Sequence, residues 1–386
     1  MLVQGGNVLS YVPKGAWDGS TSGVSVIQVE GAGVASAVIP TASVINSCSS
    51  NSTTGETVCT ANSSAVYLIN GTSVTSTLHS SGTGKISFSG GSCTNCGVVI
   101  NATTNQALIT LSTAKGAGFQ FLDLGDNTFE PDFPSQSSPQ EVSEDAAIDP
   151  VRHLLLSATE ASTYEVGDIT DTTTPKLFEN DTSGGAFKGE YDSSAEDCTT
   201  GVALATDEFT GNLYLADLSQ ATFTAGSPAT WTAPQQLQNF PEFDSFSAGT
   251  DGVSVAGDTH IAVVNGEFGG NLFGAVVLPS SSGTGGKVPA VSDYVACTIP
   301  STPDKLTFET GDDPHTTTAY ASPNSGDAIA LVANSNPPTW VAVIDMTKLL
   351  NTSIVPRIKN GFATRHTCNP AVDLVAAGVV KFVAVP

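Results

Sequence analysis

The chain has 386 residues, 40% hydrophobic and only 13% charged, which leaves room for a large core or for two or three ordinary domains. Its 13 Lys plus Arg against 37 Asp plus Glu give a formal net charge of −24, a field that repels nucleic acid and anionic lipid, since both need clustered cations. No run approaches the ~20 apolar residues of a membrane span, and 38 glycines with 21 prolines predict many turns and few helices.

From the N-terminus, "MLVQGGNVLSYV" lacks the basic start and apolar core of a signal peptide. Few lysines, Ser/Thr-rich loops and several cysteines favour export, so the expectation is a mature extracellular or periplasmic chain whose signal has been removed. "NVLSYVPKGAW" and "GVSVIQV" then open the chain with what reads as the middle of a β unit. "TVCTANSSAVYLINGTSVTSTLH", from Thr57, is a weaker unit. Cys48 and Cys59, the latter inside this unit, flank the polar loop "SSNSTTGETV", which a disulfide would close. That pair is the preferred bridge, although spacing leaves other connectivities open and seven cysteines leave one unpaired or intermolecular. "CTNC" at Cys93–Cys96 reads as a local disulfide or two core thiols, because zinc needs further ligands nearby.

Five clearer units follow. They begin at Gly97 ("GVVINATTNQALITLSTAKGAGFQFLDL"), Ala146 ("AAIDPVRHLLLSATEASTYEVGDI"), Gly201 ("GVALATDEFTGNLYLADL"), Gly252 ("GVSVAGDTHIAVVNGEFGGNLFGAVVLP") and His315 ("HTTTAYASPNSGDAIALVANSNPPTWVAVIDM"). Each gives a small-apolar strand, a turn, a β-rich run, a loop and another β-rich run. Their starts recur about every 50 residues, the range in which periodicity marks propellers and solenoids. "NATTNQ", "DPVRH", "TDEFTGN" and "SPNSGD" are assigned to one equivalent turn, and "MTKLLN" to a single helical turn. "DLGDNTFEPD" at Asp123 reads as a hairpin loop, since it lacks EF-hand spacing. "VDLVAAGVVKFVAVP" ends the chain with an opening strand or two.

A unit of about four strands cannot bury both faces alone, and radial packing of such units leaves only short protected edges. The fold class is therefore all-β: one β-propeller domain over residues 1–386 with seven four-stranded blades, closed by pairing of the N- and C-terminal segments. Six blades is the alternative, if region 41–90 is an insertion. "DPHTTTAYASPNSGDAIALVANSNPPTWVAVIDM" resembles a YVTN-type β-propeller repeat in its Pro-His entry, Ser-Pro turn, "LVAN" strand and "VAVID" strand.

If each unit's first strand lines the channel, the residues just before it ring one mouth. That register brings Asp145, Asp197, Asp251, Asp313, His315 and His366 to a shared rim, with Glu144, Glu196 and Asp312 alongside. Carboxylates held this close raise one another's pKa unless a cation intervenes. Their hard oxygens suit Ca²⁺ or Mg²⁺, while His admits a transition metal. The competing expectation is that these side chains cap turns and never meet.

Similar propellers, the calcium-dependent gluconolactonases and paraoxonases, hold a metal at the channel mouth with Glu, Asn and Asp. That resemblance implies Asn95, Asp145, Asp197 and Asp251 as ligands, with His315 or His366 as base. The leading function is a binding or scaffold module, its partner a protein or small molecule, with self-association open to it. The alternatives are a metal-dependent hydrolase of the lactonase type and a surface-structural subunit. N-x-S/T triplets stand at Asn51, Asn62, Asn70, Asn101, Asn180 and Asn351, glycan acceptors only in a eukaryotic secretory route.

Overall fold

The computed structural model describes residues 1–14, 22–32, 36–79, 97–113, 116–136, 146–159, 163–180, 189, 191–207, 209–240, 250–266, 272–288, 291–300, 317–333, 340–351, 357–360, 363–367 and 373–386. These form seven sheets, each built on a four-stranded antiparallel meander, the blade of a β-propeller. Blade one is β1 (Leu2–Gln4), β2 (Asn7–Lys14), β3 (Gly23–Glu30) and β4 (Ala37–Pro40). Blade two is β5 (Ile45–Ser50), β6 (Glu56–Ala61), β7 (Ala65–Asn70) and β8 (Ser73–His79). Blade three is β9 (Val98–Asn101), β10 (Gln106–Thr113) and β11 (Gly116–Asp123), its last strand split into β12 (Thr128–Phe129) and β13 (Phe133–Pro134). Blade four is β14 (Ala147–Asp149), β15 (Leu154–Thr159), β16 (Thr163–Asp168) and β17 (Lys176–Asn180).

Blade five is β18 (Tyr191–Asp197), β19 (Val202–Asp207) and β20 (Asn212–Asp217), then, after the hairpin β21 (Thr222–Thr224) and β22 (Thr230–Thr232), β23 (Gln235–Asn239). Blade six is β24 (Thr250–Val255), β25 (Ile261–Gly266), β26 (Leu272–Val277) and β27 (Asp293–Thr298). Blade seven is β28 (Thr317–Ala321), β29 (Ala328–Ala333) and β30 (Trp340–Asp345), followed by the one-turn helix α1 (Met346–Asn351). After the hairpin β31 (Arg357–Asn360) and β32 (Ala363–Thr367), β33 (Val380–Ala384) completes it.

The chain divides into two compact units. The first is Met1–Asn180 with Phe223–Trp231 and Val385–Pro386, and carries blades one to four. The second is Asp181–Thr222 with Thr232–Ala384, and carries blades five to seven. In each, middle strands of small apolar residues are buried on both faces, so their side chains alternate between two layers. Ala262 and Val264 of β25 pack with Leu204 and Leu215 of blade five. Val263 of the same strand packs with Ala330 and Val332 of blade seven. In the first unit Leu108 joins Leu155 and Leu177 of blade four, while Ile109 joins Val58 and Leu68 of blade two. Each fully buried Val or Leu contributes about 1.5–3 kcal/mol, so these layers hold neighbouring blades together.

Blades four and six share a further device. In blade four β22 lies parallel to β17, pairing Asn180 with Trp231, and β21 follows as a sixth strand. Trp231 is buried there and its Nε1–H donates to the Tyr164 carbonyl at 3.0 Å. In blade six β32 lies parallel to β27 and β31 follows. Both hairpins are excursions between the third and fourth strands of the next blade in sequence.

Three expectations change. Region 41–90 contains a complete blade, which removes the six-bladed alternative. The terminal segments do not share a blade: β1–β4 are all N-terminal, and β33 pairs with β30. Residues 373–379 form a turn, and the single C-terminal strand that follows is the last of its blade and not an opening one. Ser25 Oγ donates to the Pro386 carbonyl at 2.9 Å, which ties the C-terminus to blade one. In blade five the reading was one strand out of register. "VALATD" is the second strand, and "TDEFTGN" is the turn after it. The first strand, "YDSSAED", is too polar to announce itself, although all seven of its residues are buried. The expected disulfide joins Cys48 to Cys59, which sit directly opposite each other on β5 and β6. Cys297 is also disulfide-bonded.

Candidate functional site

The repeated sequence phrase corresponds to one five-residue turn between the first and second strands. It runs Asn51–Gly55, Asn101–Asn105, Asp149–His153, Asp197–Gly201, Ala256–His260 and Ser322–Gly326 in blades two to seven. The fifth residue is left-handed in all six, with φ between 56° and 81°. Glycine takes that conformation without a Cβ penalty, and Asn and His are among the side chains that tolerate it.

The first residue usually caps the turn. Asn51 Oδ1 accepts from the N–H groups of Thr53 and Thr54 at 2.9 and 3.3 Å, and Asn101 Oδ1 from those of Thr103 and Thr104 at 3.0 and 3.3 Å. Asp149 Oδ1 accepts from Val151 and Arg152 at 2.8 and 2.9 Å, and Ser322 Oγ from Asn324 and Ser325, both at 3.2 Å. Buried, these oxygens satisfy backbone donors that no ladder reaches.

Asp197 does the same and more. Its Oδ1 accepts from Thr199 N at 3.0 Å, Thr199 Oγ1 at 2.5 Å and Thr200 N at 3.4 Å. Its Oδ2 accepts from Nδ1 of His260, the fifth turn residue of the next blade, at 2.6 Å. The carboxylate is fully buried, while the His260 side chain is 27% exposed. Burial alone would push the Asp197 pKa upward, but the hydrogen bonds from His260 and Thr199 outweigh it, so the group lies below its ordinary value. The pairing places the imidazole proton on Nδ1.

The same contact occurs in the first unit with neutral partners. Asn51 Nδ2 of blade two donates to Asn105 Oδ1, the fifth turn residue of blade three, at 2.8 Å. The first turn residue of one blade thus clasps the fifth of the next.

Asp251 sits elsewhere. It is the second residue of β24, inside a bulge where Thr250 pairs with Gly266 and Val253 with Val264. Blade five bulges at the equivalent place, between Tyr191 and Ser194, which aligns Asp192 with Asp251. Both carboxylates are buried. Asn265 Nδ2 donates to Asp251 Oδ2 at 3.4 Å, and Thr317 Oγ1 donates to Asn265 Oδ1. A Cβ at Gly252 would stand 2.5 Å from Asn265 Oδ1, so glycine is needed for this close approach. Bulges re-aim side chains and are common beside functional sites.

These positions divide the expected rim. Val253 N donates to Ser193 Oγ, and Asp197 meets His260, so β18 and β24 run side by side in one direction. Asp251 therefore lies beside the start of β18 and Asp197 at its end, about 20 Å away at ~3.3 Å per residue. One rim does not hold both. His366 is on β32, the fifth strand of blade six, pairing with Val295 and Arg357. Its backbone is four strands, or about 19 Å, from the inner strand β24, and not at a channel mouth. Asn95, Asp145, Asp313 and His315 lie outside the described residues, as do Glu144 and Asp312. Sequence reading missed Asp192, Thr199, His260 and Asn265. Counting five residues back from each turn's first residue would have found Asp192.

No family model matches the chain, and no curated protein matches it in sequence. Solved structures do match, at the level of fold. The WD40 repeats of RRP9 align with TM-score 0.53 and 13% identity over 82% of each chain. The β-propeller domain of Cps50 (Swd1) from Myceliophteria thermophila aligns with TM-score 0.54 and 12% identity, over 78% of this chain and 82% of that one. U3-55K gives 0.50 and 11%, over 82% and 84%. The chain is a β-propeller similar to WD40 repeats.

Proposed function

We propose that the protein is an exported binding or scaffold module that uses the acidic inner strands of its blades to engage a cationic ligand. The observation that carries this reading is the use made of Asp197. Both of its oxygens are committed to a turn and a neighbouring blade, as Asn51 is in the first unit, so this polar repeat maintains a scaffold. Similarity in fold to WD40 repeats supports the same reading. Disulfides at Cys48–Cys59 and at Cys297 support export, because such bonds persist in oxidising compartments.

A divalent cation remains part of the proposal at the bulges, with Asp192 and Asp251 as ligands, and is withdrawn from Asp197, which has no oxygen to offer. Calorimetric titration of the native protein with Ca²⁺ tests this. Saturable heat that disappears in Asp251→Asn supports it, and no heat in either protein overturns the cation.

The metal-dependent hydrolase is the second reading, and the Asp197–His260 pair favours it. A buried carboxylate orienting an imidazole is how a general base is held. Turnover of lactones or aryl esters that is lost in His260→Asn would replace the binding reading with this one.

A further inference from the structure

The fold sorts the six N-x-S/T triplets. Three are closed to a glycan because their asparagines are buried and employed. Asn51 and Asn101 cap turns, and Asn180 Oδ1 accepts from Tyr164 N at 3.0 Å. Asn62 is half-buried, and Asn351, although exposed, donates its amide to the Thr347 carbonyl at 2.8 Å. Asn70 differs. It is exposed, at the end of β7, and starts the two-residue hairpin Gly71–Thr72 that leads into β8. Gly71 has φ +60°, and its carbonyl accepts from the Tyr11 hydroxyl at 3.1 Å, so the turn is held in place.

The strand that follows has a liability. β8 is the outer edge of blade two, and Ser73, Thr75, Thr77 and His79 alternate outward along it. It contains no Lys, Arg, Asp, Glu or Pro, the residues that usually guard an edge against another chain. Blades four and six cover their edges with hairpins, whereas among the described residues no strand pairs with the outer side of β8. Asn70 pairs with Ser73, at the very start of this edge.

We propose that Asn70 is an N-glycan acceptor and that the glycan shields the β8 edge. This rests on the export reading. The co-reactant is an oligosaccharide on a polyprenyl diphosphate. The Asn70 amide nitrogen attacks sugar C1 and loses one proton. A C1–N bond forms, the C1–O bond to the diphosphate breaks, and polyprenyl diphosphate leaves.

The test is secretion of the full chain behind a leader from yeast, followed by enzymatic deglycosylation in heavy-oxygen water and site-resolved mass spectrometry. Heavy-oxygen conversion is expected at Asn70 and not at Asn51, Asn101 or Asn180. Thr72→Ala, which leaves Asn70 in place, should remove one glycan and raise the self-associated fraction in size-exclusion chromatography several-fold. Secreted protein with Cys48–Cys59 formed but Asn70 bare overturns the acceptor and leaves export standing. An occupied Asn70 whose loss changes no association overturns the shielding role. A retained chain with Cys48 and Cys59 reduced overturns export and the acceptor with it.

Discussion

Blades two and three are clasped by Asn51 and Asn105, and blades five and six by Asp197 and His260. The turns are alike, the same first and fifth positions meet, and the distances are 2.8 and 2.6 Å, but the first residue donates in one clasp and accepts in the other. Only the chemistry differs. An amide pair holds its proton count over the whole pH range, whereas a carboxylate–imidazole pair is strong only while the carboxylate is ionised. The comparison teaches that position in the repeat fixes the contact, while residue identity fixes what the contact responds to.

The largest effect that would break the comparison is expected from Asp197→Ala. It removes the acceptor for two turn N–H groups and strands His260, at a cost of about 3 kcal/mol. Urea unfolding measures it, and a loss below ~1 kcal/mol would mean the clasp is ornamental. Asn51→Ala should cost less, about 1–2 kcal/mol, because its clasp contains no ionised carboxylate. Equal losses from the two would show that ionisation adds nothing.

Acid separates the two clasps more sharply. Asp197 has a folded-state pKa below its unfolded value of ~3.9. Its contribution is therefore fully present above about pH 4 and is lost as the pH falls through the folded-state value. Between pH 6 and pH 2.5 the wild type should lose more stability than Asp197→Asn, whereas Asn51→Ala should lose as much as the wild type. Matching acid profiles for wild type and Asp197→Asn would remove the ionic account. The smallest effects belong to Asn105→Gly and His260→Gly. Each relieves a left-handed side chain, worth about 1 kcal/mol, and loses one clasp. Net changes within ~1 kcal/mol are expected, less favourable for His260→Gly.

The fold was legible where blades carry apolar middle strands. "ALITLST", "HLLLSAT" and "AIALVA" announce themselves by composition, and the turns between them by Asn, Asp, Ser and Gly. "YDSSAED" did not, and its neighbour "VALATD" was taken for it, which carried Asp197 to the wrong end of a strand. The β31–β32 hairpin was equally silent, because a parallel addition to an edge leaves no periodic trace. His366 moved off the expected rim for that reason. The clasps are legible only after the blades are aligned, since their partners stand 54 and 63 residues apart. Thr199 and Asn265 act through networks that no single-strand pattern encodes. The Cys48–Cys59 bridge was visible because the two residues face each other across one hairpin.

The borrowed hairpins set an order on synthesis. β17 ends at Asn180, and the strand that covers it pairs Asn180 with Trp231, 231 − 180 = 51 residues later. For blade six the delay from Asp293 to Thr364 is 364 − 293 = 71 residues. At roughly 5–20 residues per second, a ribosome leaves each edge bare for several seconds. During that interval a blade already folded in its inner strands presents an open template to any extended neighbour, including another nascent copy on the same message. The polypeptide is thus most vulnerable midway through translation, and a pause after Asn180 would be more damaging than one after Trp231.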